Sequence, residues 1–276
     1  MFIGIDIGGT HTRVASGSQG KIQQKISFPT KDFQTSLKEV NEAVSKISVE
    51  SNEEVKRVGV GVPGPFETKT GKILKAPNLA GWEGVDVSKT FSDSLGAPVV
   101  AEHDCSVAAL GESNYGAGVG KNPVLYITVG TGIGMGLIVG GKIYKGVYNP
   151  EPGHQIISRE GQICSCGQKG DLESFSSGSS LKRITGEEAK NSVGKEPWWQ
   201  AMESLGVGIT NAILYYSSEI VIIGGGLSTN GDLFFDPIKK SVESHLKLLP
   251  VVTIVPAALG EDSGLVGAIT LAETSY

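Results

Sequence analysis

The stretch Ile5-Asp6-Ile7-Gly8-Gly9-Thr10 returns in outline as Ile127-Thr128-Val129-Gly130-Thr131-Gly132. In both, a short apolar run breaks at a glycine turn and a second apolar run follows, the pattern of strand, tight turn and strand. The recurrence suggests two halves built on one plan, and neither half carries a short-period repeat of the solenoid kind.

Working outward from the first copy, residues 2–7, 10–15 and 21–28 read as a meander of hairpins. Leu37, Val40, Val44 and Ile47 then recur at helical spacing, and Ser36 with Glu39 reads as a capping box at the helix start. A buried strand at 58–62 runs into Pro63-Gly64-Pro65, and a strand at 99–102 precedes a helix at 106–114. Glycines in 116–120 mark a hinge candidate. Beyond it come strands at 124–129, 135–139 and 142–144, a long helix at 197–216, and a strand at 220–223 ending in Gly224-Gly225-Gly226. Asp236 and Pro237 read as the start of a helix through Leu246, followed by a strand at 251–256 and a last helix at 263–273. Strand meanders followed by strand–helix alternation indicate an α/β fold with a mixed sheet, twice over.

The 276 residues are 39% hydrophobic and 19% charged, with net charge −5. That balance suits an ordinary globular protein long enough for two modest domains. It offers no general basic face, so nucleic acid is not an expected partner. Three cysteines (Cys105, Cys164 and Cys166) do not make a disulfide framework, which fits a reducing, cytoplasmic setting. The expectation is neither a signal peptide nor a membrane span, because no basic leader precedes the first strand and no apolar window is long enough.

Phosphates are bound by backbone N–H groups and small hydroxyls at tight turns. Asp6-Ile-Gly8-Gly9-Thr10 supplies both, and Asp6 so close to a phosphate makes sense beside Mg2+. Gly130-Thr131-Gly132 is the matching second turn. There is no Walker-type P-loop, and the second turn leads into a strand rather than the helix a Rossmann fingerprint requires. Asp104, between a strand and a helix, is either a helix N-cap or a carboxylate facing a cleft and able to take a proton. His154, Cys164, Cys166 and Asp171 are four zinc donors, and nearby glycines allow the tight turn that two thiolates one residue apart require; the alternative is two stray cysteines and a solvated histidine. His11 and His245 read as solvated, Cys105 as a packed thiol, and Trp198-Trp199 as either internal packing or a dimer face.

Glu151-Pro-Gly-His154 followed by Cys164-Ser-Cys166-Gly-Gln-Lys-Gly-Asp171-Leu-Glu173 resembles the signature of the ROK family of repressors and sugar kinases, as do the first glycine turn and Glu102-His103-Asp104. The resemblance implies the two-lobed sugar kinase and actin-like ATPase fold (ribonuclease H-like), with mixed sheets about an interlobe cleft. It places residues 1–117 with 262–276 in one lobe and 118–261 in the other. It implies ATP held by Asp6, Gly8, Gly9 and Thr10 on one side and Gly130, Thr131 and Gly132 on the other, with Gly225 and Gly226 against the adenosine. It assigns a sugar to Asn78, His103, Asp104, Glu151, His154 and Glu173, with Asp104 as general base. A structural zinc would hold the His154–Glu173 loop. The expected activity is ATP-dependent phosphorylation of a hexose, glucose at its 6-hydroxyl leading, with N-acetylmannosamine, mannose, fructose or allose behind. A homodimer is the expected assembly. Two departures stand out: Asp171 replaces the usual third zinc cysteine, and His103 replaces the usual sugar-binding asparagine. A sugar-sensing repressor would carry a helix-turn-helix ahead of the first glycine turn, where this chain begins; a sugar binder without turnover is the third reading.

Overall fold

The computed structural model describes residues 1–67, 70–74 and 79–275; Asn78 lies outside these. Strands β1 (Phe2–Ile7), β2 (His11–Ser18) and β3 (Lys21–Pro29) form the first meander. Then come helix α1 (Phe33–Ser51), strand β4 (Arg57–Val62), a short pair β5 (Phe66–Glu67) and β6 (Lys72–Ile73), helix α2 (Val87–Leu95), strand β7 (Val99–His103) and helix α3 (Asp104–Tyr115). The second half begins with β8 (Val124–Val129), β9 (Ile133–Val139) and β10 (Lys142–Ile143). It continues with helices α4 (Leu172–Ser176), α5 (Gly178–Thr185) and α6 (Glu196–Tyr216), then β11 (Ile220–Gly224), α7 (Asp232–His245) and β12 (Thr253–Pro256). Helix α8 (Ser263–Thr274) closes the chain.

The two sheets have one topology: β3-β2-β1-β4-β7 and β10-β9-β8-β11-β12. In each, three antiparallel strands are followed by two that run parallel to the central one. Parallel pairing needs crossovers, so the functional loops gather at the carboxyl ends of β1, β4, β7, β8 and β11.

Each sheet buries one face under its own helices. Ile3, Ile5, Val58 and Val60 pack with Val40, Ile47 and Phe91, and Leu125, Ile127 and Val221 pack with Trp198, Ile209 and Phe234. Such side chains each contribute about 1.5–3 kcal/mol on full burial. Helices α3 and α8 lie between the sheets: α3 contacts β8 and β9 as well as β4, and α8 contacts β1, β2, β4 and α3. Helix α3 is buried along Cys105–Glu112, which explains its small residues and lack of a polar face. Close approach explains two glycines: a Cβ on Gly59 would overlap the Ala268 carbonyl, and one on Gly267 the Val107 carbonyl.

Two helix starts differ from the sequence expectation. The cap of α1 is Asp32, whose Oδ1 accepts from Thr35 N at 3.1 Å, while Ser36 is buried and bonds the Lys31 backbone instead. Helix α7 begins at Asp232 and takes Pro237 into its interior. Proline has no N–H to satisfy the carbonyl four residues back, and here the Trp198 indole N–H donates to that Leu233 carbonyl at 2.8 Å. Trp198 is therefore core packing, fully buried.

The chain passes between the two sheets twice, from α3 to β8 and from β12 to α8. Both passages are fastened to one buried carboxylate. Glu112 Oε2 accepts from Ala117 N at 2.9 Å and Ala258 N at 3.1 Å, and Oε1 from Leu259 N and Ser263 Oγ, each at 2.8 Å. Replacing it by leucine removes the acceptor of three backbone amides and the buried Ser263 hydroxyl, hydrogen bonds to a charged group worth about 1.5–3 kcal/mol each. Glu112→Leu is expected to lower unfolding free energy by at least about 3 kcal/mol, read as a lower urea midpoint; an unchanged midpoint would remove Glu112 from this role.

Candidate active site

Asp6, the last residue but one of β1, is in register with Gly61 on β4, which is in register with Glu102 on β7. Asp104 follows two residues later as the first residue of α3, so both acids stand at the same sheet edge. They line a cleft of about 920 Å³ together with Gly8, Gly9, Thr10, Gly130, Thr131, Gly225 and Gly226. Residues of both glycine turns and both sheets therefore meet in one space. Gly132 is not among the lining residues; it sits against the Glu173 carboxylate instead. His11, read as solvated, is exposed but on the cleft lip, and His245 sits at the end of α7 with Nδ1 2.8 Å from the Ser241 carbonyl oxygen.

Asp104 does not cap α3 from outside: the cap position is His103, which makes no capping hydrogen bond. Asp104 Oδ1 accepts from Cys105 N at 2.6 Å. His103 is buried, with Nε2 3.4 Å from Asp104 Oδ1 and 3.7 Å from Glu151 Oε1. Gly64, in the loop after β4, leaves the room: a Cβ there would stand 2.9 Å from His103 Cδ2 and 3.1 Å from Glu151 Oε1. Glu173, on α4, accepts from Ile133 N at 2.9 Å and so ties its helix to the second glycine turn. Burial pushes the Glu151 carboxyl up, helped by the charges of Asp104 and Glu173 and opposed by His103 and His154. His103, Asp104, Glu151, His154 and Glu173 thus share one neighbourhood beside the cleft.

Two site residues were absent from the sequence expectations. Arg13 is the cross-strand partner of Asp6 and its guanidinium holds the Asp6 carboxylate at 2.5 Å, while also donating to the Glu261 carbonyl. Burial raises the Asp6 pKa, Arg13 opposes the rise, and Asp104 adds to it. Lys145, beyond β10, pairs with the buried Glu102 of the other sheet. The hairpin register was the only available signal for Arg13; nothing in the pattern marked Lys145.

The loop from His154 to Asp171 folds as a hairpin, with bridges Ile156 to Asp171 and Ile163 to Lys169. Its tip is a tight turn in which Gly167 takes φ +94° and donates to the Cys164 carbonyl at 2.9 Å. Donor atoms of His154, Cys164, Cys166 and Asp171 lie within 4.8 Å of one another. His154 Nδ1 is 2.9 Å and Cys166 Sγ 3.3 Å from Asp171 Oδ2. The other oxygen, Oδ1, caps α4 by accepting from Ser174 N at 2.9 Å. Burial works against the charged Asp171, but hydrogen bonds from His154, Cys164 and Ser174 outweigh it and hold the carboxyl below its ordinary range. One imidazole, two sulfurs and a carboxylate at this spacing fit a tetrahedral divalent ion.

Among the described residues, no helix is long and apolar enough to cross a membrane. The ROK family model matches residues 2–275. A glucokinase of Streptomyces coelicolor is 30% identical over 313 aligned positions, covering 99% of this chain and 97% of its own. The crystal structure of a ROK hexokinase from Thermus thermophilus superposes with TM-score 0.89 at 26% identity, covering 99% of this chain and 97% of that one. A ROK glucokinase from Streptomyces griseus, solved with glucose and AMPPNP, gives TM-score 0.83 at 29% identity over 99% of both chains. With the duplicated sheet topology, the shared cleft and a match along nearly its whole length, this chain belongs to the ROK family.

Proposed function

We propose that this chain is an ATP-dependent sugar kinase that phosphorylates a hexose, glucose at its 6-hydroxyl being the leading acceptor, with Asp104 as general base. The observation that carries this reading is the position of Asp104 on the wall of a cleft that both glycine turns line. The S. griseus enzyme, solved with glucose and an ATP analogue, supports the same substrate pair.

Phosphoryl transfer to an alcohol depends mainly on positioning and charge, with one proton to remove from the attacking hydroxyl. Asp104 is a carboxylate at the cleft edge with part of its side chain open, suited to accept that proton as the oxygen attacks. Backbone N–H groups of Gly9 and Thr10 on one turn and Thr131 on the other would hold phosphate oxygens from opposite sides, the Gly8 and Gly130 N–H groups being used inside the turns by the His11 and Gly132 carbonyls, with Gly225 and Gly226 against the nucleoside. Bound with the nucleotide, Mg2+ supplies charge neutralisation across the phosphates, and Asp6 is the carboxylate placed to orient it. Arg13 opposes the rise that burial gives the Asp6 carboxyl. Sugar hydroxyls would be read by Asn78, His103, Glu151, His154 and Glu173, polar groups that disfavour an epimer leaving them unpaired. Residues 1–117 with 262–276, and residues 118–261, would act as two lobes that close on the substrates and exclude water. Zinc held by His154, Cys164, Cys166 and Asp171 would fix the loop that presents Glu151 and Glu173 to the sugar.

Coupled ADP release over a hexose panel tests the reading. Asp104→Asn is expected to lose about 10²–10⁴-fold in kcat while still binding sugar; turnover at the wild-type rate would reject Asp104 as base. Arg13→Gln is expected to move the Asp6 carboxyl titration, followed by its 13C shift, to higher pH, because the opposing cation is gone while burial remains; no movement would reject the pairing. The purified protein is expected to carry one zinc per chain in the loop. Asp171→Asn keeps an oxygen to cap α4 but loses the anionic donor. It should give up zinc to a chelator at least about tenfold more readily, and retention equal to wild type would exclude Asp171 as a ligand.

A further inference from the structure

A second convergence of metal donors stands at the turn from β7 to α3. A ring nitrogen of His103, a carboxylate oxygen of Asp104 and Cys105 Sγ all lie within 4.8 Å of one another. His103 Nε2 is 3.4 Å from Asp104 Oδ1, and Glu151 Oε1 reaches within 3.7 Å of that same nitrogen. Ligands at about 2.0–2.3 Å from a tetrahedral zinc stand about 3.3–3.8 Å from each other; the two oxygens already stand at that distance from the imidazole, while Cys105 Sγ, within 4.8 Å, and Glu151 would close in on the ion. The imidazole and the thiol are both buried, with 4% and 6% of their surfaces exposed, and Cys105 borders the cleft through which an ion would enter.

We propose that His103, Asp104 and Cys105, with Glu151 as fourth donor, bind a zinc-class divalent cation reversibly, and that this ion competes with the sugar. The donor set of nitrogen, sulfur and two oxygens selects zinc or cobalt over magnesium, which prefers all-oxygen shells and gives up its water reluctantly. Binding displaces the Cys105 thiol proton to solvent and leaves a thiolate on the metal. The ion then occupies the Asp104 lone pair and the space beside it, where a sugar hydroxyl would sit. Because ion and sugar need the same oxygen, each lowers the other's affinity by the same factor. His103 Nδ1 is buried and has no hydrogen-bond partner among the described residues. A metal-bound imidazole usually donates through its other nitrogen, and lacking that partner costs about 10–100-fold in affinity. The site is therefore a weak, reversible one, unlike a structural centre. His103 is essential to it: the asparagine that the resemblance leads one to expect there has no imidazole to offer.

The inhibitory consequence rests on the kinase reading; the binding does not. Equilibrium dialysis against Co2+ or Zn2+ without nucleotide, which would chelate the metal, isolates the binding. The wild-type chain is expected to hold one equivalent more than Cys105→Ala, and cobalt in that equivalent to show a thiolate charge-transfer band absent from the variant. His103→Asn should weaken the same equivalent by more than the roughly 100-fold at which loss of a mere orienting partner stops. Saturating glucose should remove the equivalent from wild type. The loop site is untouched in both variants, so its occupancy subtracts out, and circular dichroism establishes that each variant is folded. Equal stoichiometry and affinity in wild type and both variants would overturn the proposal. Absence of ADP release in metal-free buffer would instead overturn the kinase reading and leave the binding difference standing.

Discussion

Glu112 is the constraint on which the geometry turns. A carboxylate with no exposed surface is costly to bury unless its oxygens are fully used, and here both are, by three backbone amides and a hydroxyl. The donors come from the two segments that carry the chain from one sheet to the other. Glu112 itself sits near the end of the helix that begins with Asp104. A single rigid element therefore links the cleft acid to both passages between the halves, and the small residues of α3 and α8 let that element lie between the sheets.

The cleft chemistry follows from parallel pairing at the carboxyl edges of the two sheets. Asp6 and Asp104 are brought close because β4 lies between β1 and β7, with Gly61 between the two acids' strands. The charge of Asp104 adds to the cost of burying the Asp6 carboxylate, and Arg13 opposes it. On the far side, Glu173 joins three things: α4, the second glycine turn through Ile133 N, and the hairpin that gathers His154, Cys164, Cys166 and Asp171.

Much of this was legible in the sequence, for identifiable reasons. The strand–turn–strand repeat survives because alternation and glycine turns are local signals, and the two sheets do share one topology. The cysteine loop was legible because four donors of three types within 18 residues have few other uses, and Gly167 adopts the positive φ that the close thiols demand. The start of α7 was not legible. A proline read as a helix opener lies inside the helix because Trp198, on another helix, supplies the missing N–H. Arg13 and Glu112 were missed as organising groups for the same reason: their partners are set by register and by chain crossings, which no window of sequence contains. His103 was legible as a departure, but its contacts with Asp104 and Glu151 depend on the space left by Gly64.

The central claim is that Asp104 meets a sugar hydroxyl in the cleft while the two glycine turns hold the nucleotide phosphates. A crystal structure of the chain with glucose and a non-hydrolysable ATP analogue tests it most directly. The account predicts the 6-hydroxyl oxygen within about 2.6–3.2 Å of the Asp104 carboxylate, in line with a terminal phosphate lying between Gly8–Thr10 and Gly130–Gly132. Glucose bound with no hydroxyl near Asp104, or phosphates touching only one of the two turns, would contradict it.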